Sequence, residues 1–215
     1  GKPGHKTVDP AKARLLSPCR PSKVPAVGLN YRAHAAEMKM AIPAVPMIFL
    51  KPSSSVIGPY QPILRPLGAT RVDYEAELGV VIGRACRMVD ERQALDYVLG
   101  YTCLNDVTAR DLQAKDVQYG RAKGFDTFCP LGPIIATGLD PDALAAGCLV
   151  NGQVKQDSNT NDLIFPVAKL VSFVSQVMTL KPGDVIATGT PAGIAPLADG
   201  DVVTIELEGI GRLNN

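Results

Sequence analysis

A mainly β domain of the α+β class agrees with this sequence, and three stretches carry that expectation. Leu78 to Ile82 is a short apolar run rich in Val and closed by Gly83, which reads as a buried strand. Leu149 to Gln156 sets two short strands around Asn151-Gly152, the pair preferred in a type I′ hairpin turn. Asp201 to Glu208 alternates apolar and polar residues, as a strand closing a sheet would. These stretches fit a β-rich class without selecting a topology.

The other elements follow in chain order. Residues 1–22, rich in Pro, Lys and Ser, read as an N-terminal connector, the remnant of a longer start, and 23–215 as one domain. Gly1 stands where Met would open a native chain, and no basic end plus apolar core follows it. Lys23 to Leu29 predicts a short strand, Ala33 to Met40 a short helix, Ile42 to Pro46 a loop, and Met47 to Pro52 a strand followed by a Ser turn. Asp90 to Val98 predicts an amphipathic helix capped by Asp90. A strand from Gly100, a polar loop at 114–120, a proline-rich turn at Cys129–Pro133 and a strand at Ile134–Ala136 come next. Leu163 to Leu180 has helical spacing with Pro166 near its start, and Leu180 to Thr188 turns into a strand.

Composition excludes several function classes. With 22 basic and 21 acidic residues the formal net charge is +1, which gives no electrostatic footprint for nucleic acid or an anionic membrane. Trp is absent and aromatics are 5%, which disfavours base stacking. No apolar run approaches the ~20 residues that span a bilayer. Cys19, Cys86, Cys103, Cys129 and Cys148 are odd in number and form no C-x-x-C pair, so a reducing cytoplasm fits better than a disulfide framework or zinc site.

The chemistry-bearing residues begin at Val72-Asp73-Tyr74-Glu75-Ala76-Glu77-Leu78. Side chains alternate along a strand, so Glu75 and Glu77 share a face about 7 Å apart. They either meet water at an exposed strand end or face a hard divalent cation. Asp106 ends the apolar part of the next strand, as a third carboxylate ligand or as a helix cap. Arg110 and Gln113 follow at helical spacing. His34 and Glu37 lie three apart on one helix face, either as a surface contact or as an acid/base pair. The other histidine, His5, lies in the connector, so a histidine mechanism rests on His34.

Six stretches in order resemble the fumarylacetoacetate hydrolase family. They are Gly28-Leu29-Asn30-Tyr31-Arg32-Ala33-His34-Ala35-Ala36-Glu37-Met38, Phe49-Leu50-Lys51-Pro52, the Glu75-Ala76-Glu77 strand, Asn105 through Gln113, Arg121-Ala122-Lys123-Gly124-Phe125-Asp126-Thr127, and Thr188-Gly189-Thr190-Pro191-Ala192-Gly193. The resemblance implies a mixed β-sheet roll or sandwich with short peripheral helices, usually a homodimer, with 23–215 as the catalytic domain. It implies that Glu75, Glu77 and Asp106 bind Mg²⁺ or Mn²⁺, with Ca²⁺ as a crystal substitute. His34 and Glu37 become the catalytic dyad on a lid over residues 33–46. Lys123 becomes a catalytic cavity residue facing the oxyanion or a substrate carboxylate. Arg110, Gln113, Thr190 and, at the cavity mouth, Lys51 become substrate-binding residues.

Octahedral coordination leaves about three positions beside three carboxylates. A 2-oxo acid can fill two of them, and the metal then stabilises an enolate that serves isomerisation, decarboxylation or C–C hydrolysis. The fumarylacetoacetase branch has a fourth metal-binding carboxylate just ahead of the lid histidine, where this chain has Ala26-Val27-Gly28-Leu29. The expectation is therefore a 2-hydroxyhepta-2,4-diene-1,7-dioate isomerase or decarboxylase type. Acylpyruvate- or fumarylacetoacetate-type hydrolysis and oxaloacetate decarboxylation are the alternatives. A metal-stabilised binding module without catalysis would have no need of His34, Glu37 and Lys123, all of which are present.

Overall fold

The computed structural model describes residue 9 and residues 13–215, so His5 and most of the connector's start lie outside the described residues. Its centre is the strand β5 (Ala76–Ile82), buried along its whole length. Leu78, Val80 and Ile82 point into one core, whereas Val81 joins a second cluster on the opposite face. Glu77 has the parity of Val81, so the carboxylate strand faces away from the larger core. A run of buried residues on both faces explains why this strand is nearly all apolar.

Around it a seven-stranded mixed sheet forms from β1 (Val24–Gly28), β2 (Met47–Lys51), β3 (Val56–Ile57), β5, β6 (Val98–Asn105), β8 (Cys129–Ala136) and β11 (Val185–Ala187). The spatial order is β2-β1-β11-β5-β6-β8-β3, with β1–β11 and β3–β8 parallel. A four-stranded antiparallel sheet contains β9 (Ala145–Val150), β10 (Gln153–Asn159), β12 (Val203–Leu207) and β13 (Gly211–Asn214). The larger core lies between the sheets, where Leu78 and Val80 meet Cys148, Ile205 and Leu207. A helix (Val167–Val177) closes one end through Leu170, Val171 and Val174. A small ribbon, β4 (Val72–Asp73) with β7 (Thr108–Ala109), extends the strands that carry the acids. The expected mainly β roll with short peripheral helices is the fold observed.

Local expectations hold where turn chemistry is decisive. Asn151 and Gly152 have φ of 51° and 78°, both left-handed, as the type I′ hairpin requires. Two expectations need correction. Cys129–Pro133 is the first part of β8, not a turn: Pro130 pairs with Ile57 of β3, and a register shift against Tyr101–Cys103 accommodates Pro133. Glu91–Tyr97 is a 3₁₀ helix rather than an amphipathic α-helix; Ala94 is its one buried residue, too little to hold an α-helix in place. Its Asp90 cap is present and accepts the Arg92 N–H at 2.9 Å. The five cysteines are free. Among the described residues no helix is long and apolar enough to cross a membrane.

Candidate active site

Strand pairing builds the acidic cluster. Ala76 sits opposite Asn105, which brings Asp106, the next residue, beside Glu75 and Glu77. The Asn105 Oδ1 accepts the Glu75 N–H at 3.0 Å, and the Asp106 N–H donates to the Glu75 carbonyl at 2.9 Å. One carboxylate oxygen from each of Glu75, Glu77 and Asp106 lies within 4.8 Å of the others, and all three residues are buried. Asp73, although on the same strand face, is not of this group and accepts from Arg71 and Arg110 instead.

Three buried carboxylates need compensation, and the protein's own cations supply much of it. Lys51 donates to Asp106 Oδ1 at 2.5 Å, and Lys123 donates to Asp106 Oδ2 at 2.6 Å and to Glu75 Oε2 at 2.7 Å. Arg110 donates to Glu75 Oε1 at 2.5 Å. Burial works to raise the Glu75 pKa, but the charges of Lys123 and Arg110 prevail and hold it at about 2. Among the described residues Glu77 has no cationic salt-bridge partner and accepts only the Gly189 N–H, at 2.8 Å. Burial, then the neighbouring Asp106 and Glu75, push its pKa well above the usual carboxylate range. The donor set therefore fits a hard divalent cation, with Glu77 the carboxylate that the protein leaves least compensated.

The helix α1 (Arg32–Glu37), shorter than the expected 33–40, brings His34 to the cavity that Glu75 and Glu77 also line. His34 is 7% exposed and its Nδ1 sits 2.8 Å from Glu37 Oε2. The other Glu37 oxygen accepts the Gly193 N–H at 3.0 Å. Asp162 accepts the Ala33 N–H and Arg32 donates to the Leu163 carbonyl, which ties down the N-terminal end of the helix as Gly193 ties down its C-terminal Glu37.

One cavity joins these parts. It is lined by Glu75, Glu77, Lys123, Arg110, Gln113, Thr190 and His34, with Met38, Met40, Met47, Phe49 and Tyr119 around the rim. Val27, Gly28 and Leu29, a stretch without an acidic residue, also line it. Arg110, from the helix α2 (Arg110–Lys115), donates to Gln113 Oε1 at 2.6 Å, which confirms their shared face. Lys51 requires a correction: it is fully buried beneath Asp106, not at the mouth. Two amides of the Thr188–Gly193 loop, those of Gly189 and Gly193, are committed to Glu77 and Glu37, leaving Thr190 as the loop's side chain in the cavity. Sequence reasoning missed Phe49, whose ring packs T-shaped against Tyr119 with centroids 5.6 Å apart and has the Lys123 ammonium 5.1 Å over its centroid. It also missed Gln156, a buried polar residue in an otherwise exposed strand.

A family model for the C-terminal domain of fumarylacetoacetate (FAA) hydrolase matches residues 23–215. The chain belongs to the fumarylacetoacetate hydrolase family. Members of this enzyme family stand close to it in both sequence and structure. A 5-carboxymethyl-2-hydroxymuconate delta-isomerase from Mycobacterium smegmatis superposes with a TM-score of 0.93 at 53% identity, over 99% of this chain and 84% of that one. A 2-hydroxyhepta-2,4-diene-1,7-dioate isomerase from Mycobacterium marinum does so with a TM-score of 0.89 at 51% identity, over 95% and 77%. A mitochondrial oxaloacetate tautomerase of Rattus norvegicus is 43% identical over 95% of this chain and 69% of its own length.

Proposed function

We propose that this chain is a divalent-cation-dependent isomerase or tautomerase of 2-oxo or 2-hydroxy-dienoic acids. The observation that carries the reading is one cavity with a buried carboxylate cluster on one side and a single, oriented imidazole on the other. The isomerase and tautomerase names of its relatives favour proton shift over hydrolysis. A cation held by Glu75, Glu77 and Asp106, with Mg²⁺ or Mn²⁺ matching the all-oxygen donors, would polarise the 2-oxo group and acidify the neighbouring carbon.

The chain's residues do the rest. Glu37 holds the His34 Nδ1 proton, which leaves Nε2 as the ring atom that takes a proton from carbon and returns it further along the chain. Lys123 keeps its charge against Glu75 and Asp106 and faces the negative charge that develops on the substrate. Arg110, Gln113 and Thr190 position the substrate's polar ends, and the Met-rich rim excludes water. Lys51 holds Asp106 and does not touch substrate.

Replacing His34 with Ala tests the division of labour. His34→Ala should keep Mg²⁺ and oxalate binding near those of the parent while lowering kcat by roughly 10²–10⁴ on the best substrate from a panel of 2-oxo acids. Full turnover in that variant would remove the dyad from the mechanism.

A further inference from the structure

The geometry points to Gln156 as a positioning residue that fixes the Thr190 hydroxyl as a hydrogen-bond donor to the substrate's carboxylate. This rests on the proposed binding of a 2-oxo acid in the cavity. Gln156 is 2% exposed in β10, whose neighbouring residues Lys155 and Asp157 are exposed. A register shift between Val154 and Gln156 turns this one side chain inward.

The orientation of its amide follows from its partners. Its Oε1 accepts the Ala76 N–H at 3.0 Å, and a backbone N–H can only donate. Its Nε2 donates to the Pro191 carbonyl at 2.8 Å, and a carbonyl can only accept. The amide group therefore cannot be reversed. The same Nε2 lies 2.9 Å from Thr190 Oγ1, so the hydroxyl must act as acceptor towards Gln156. Its own proton remains free, and Thr190 lines the cavity. A hydroxyl whose lone pair is committed behind it presents its O–H forward, which selects an anionic oxygen over a donor group. Ala76 lies between Glu75 and Glu77, so Gln156 also sets the distance between the carboxylate strand and the loop that carries Thr190.

A double-mutant cycle read by calorimetric titration of oxalate into the Mg²⁺-saturated protein tests the assignment. Thr190→Val should weaken oxalate binding by about tenfold, and Thr190→Ser should keep it within about threefold. Gln156→Glu accepts the Thr190 proton instead of donating to its oxygen, and should weaken oxalate by about tenfold in the parent. In the Thr190→Val background most of that loss should vanish, whereas general repulsion or misfolding would persist in both. Gln156→Met serves the same cycle should the added carboxylate unfold the chain. Equal losses in both backgrounds, or oxalate binding unchanged by Thr190→Val, would overturn the assignment while leaving the proposed function standing. Absence of Mg²⁺-dependent oxalate binding in the parent would overturn both.

Discussion

Asp106 carries an ammonium group on each oxygen, Lys51 on Oδ1 and Lys123 on Oδ2, and only Lys123 reaches the cavity. The two lysines therefore have different consequences when removed. Lys51→Met leaves a buried carboxylate short of one partner, and should cost about 3–5 kcal/mol in urea denaturation of the metal-free protein. Mg²⁺ should restore part of that loss, because it binds the folded cluster and replaces the missing charge. Arg121→Ala, which breaks an exposed pair with Asp116, should change stability by no more than about 1 kcal/mol. The sequence could name Lys51 but not place it, since lysine is ordinarily exposed and its partner lies 55 residues away. Gln156 was harder still, because only a bulge in β10 reverses the side it faces. Glu75, Glu77 and Asp106 were legible because strand alternation and the order of family motifs agree on them.

At the scale of elements, helix α1 and the 188–193 loop are coupled through Glu37 and Gly193. Gly193 has a φ of +102°, and a Cβ there would sit 2.3 Å from the Lys155 carbonyl oxygen. Gly193→Ala should displace the loop and release Glu37, and hydrogen exchange over residues 33–40 should quicken while distant β12 stays protected. Unchanged exchange there would uncouple loop and helix. A second coupling anchors the connector: Asp184 accepts from Ser22, Lys23 and the Lys181 N–H just ahead of β11. Burial alone would raise the Asp184 pKa, but these hydrogen bonds outweigh it and depress it. A depressed carboxylate contributes stability above its unfolded pKa, and that contribution is lost as pH falls through the folded value. Asp184→Asn should therefore lower Tm near neutrality and flatten its fall on the acid side, in melts taken from neutral pH down to about pH 3. Strands β1, β2, β5, β6 and β12 were legible from their apolar patterns to within a few residues. The segments around Glu91 and Cys129 were not, because helical spacing and proline content are local signals that packing and sheet register override.

For the molecule as a whole, two sheets bury one core between them and leave the carboxylate face of β5 towards the cavity that His34 also lines. The mainly β class was legible in alternation and in one hairpin turn, but the joining of β1 to β11 was not. That parallel pair links residues more than 150 positions apart, and no local pattern records it. Under the proposed function, Glu75, Glu77 and Asp106 form a cation site on which the chemistry depends. Glu77 is the ligand to change, since Lys51, Lys123 and Arg110 compensate the other two. Calorimetric titration of Mg²⁺ into the parent and into Glu77→Gln is the direct measurement. Binding should be at least tenfold weaker in the variant, ~1.4 kcal/mol or more; equal affinity in the two proteins would remove Glu77 from the cation site.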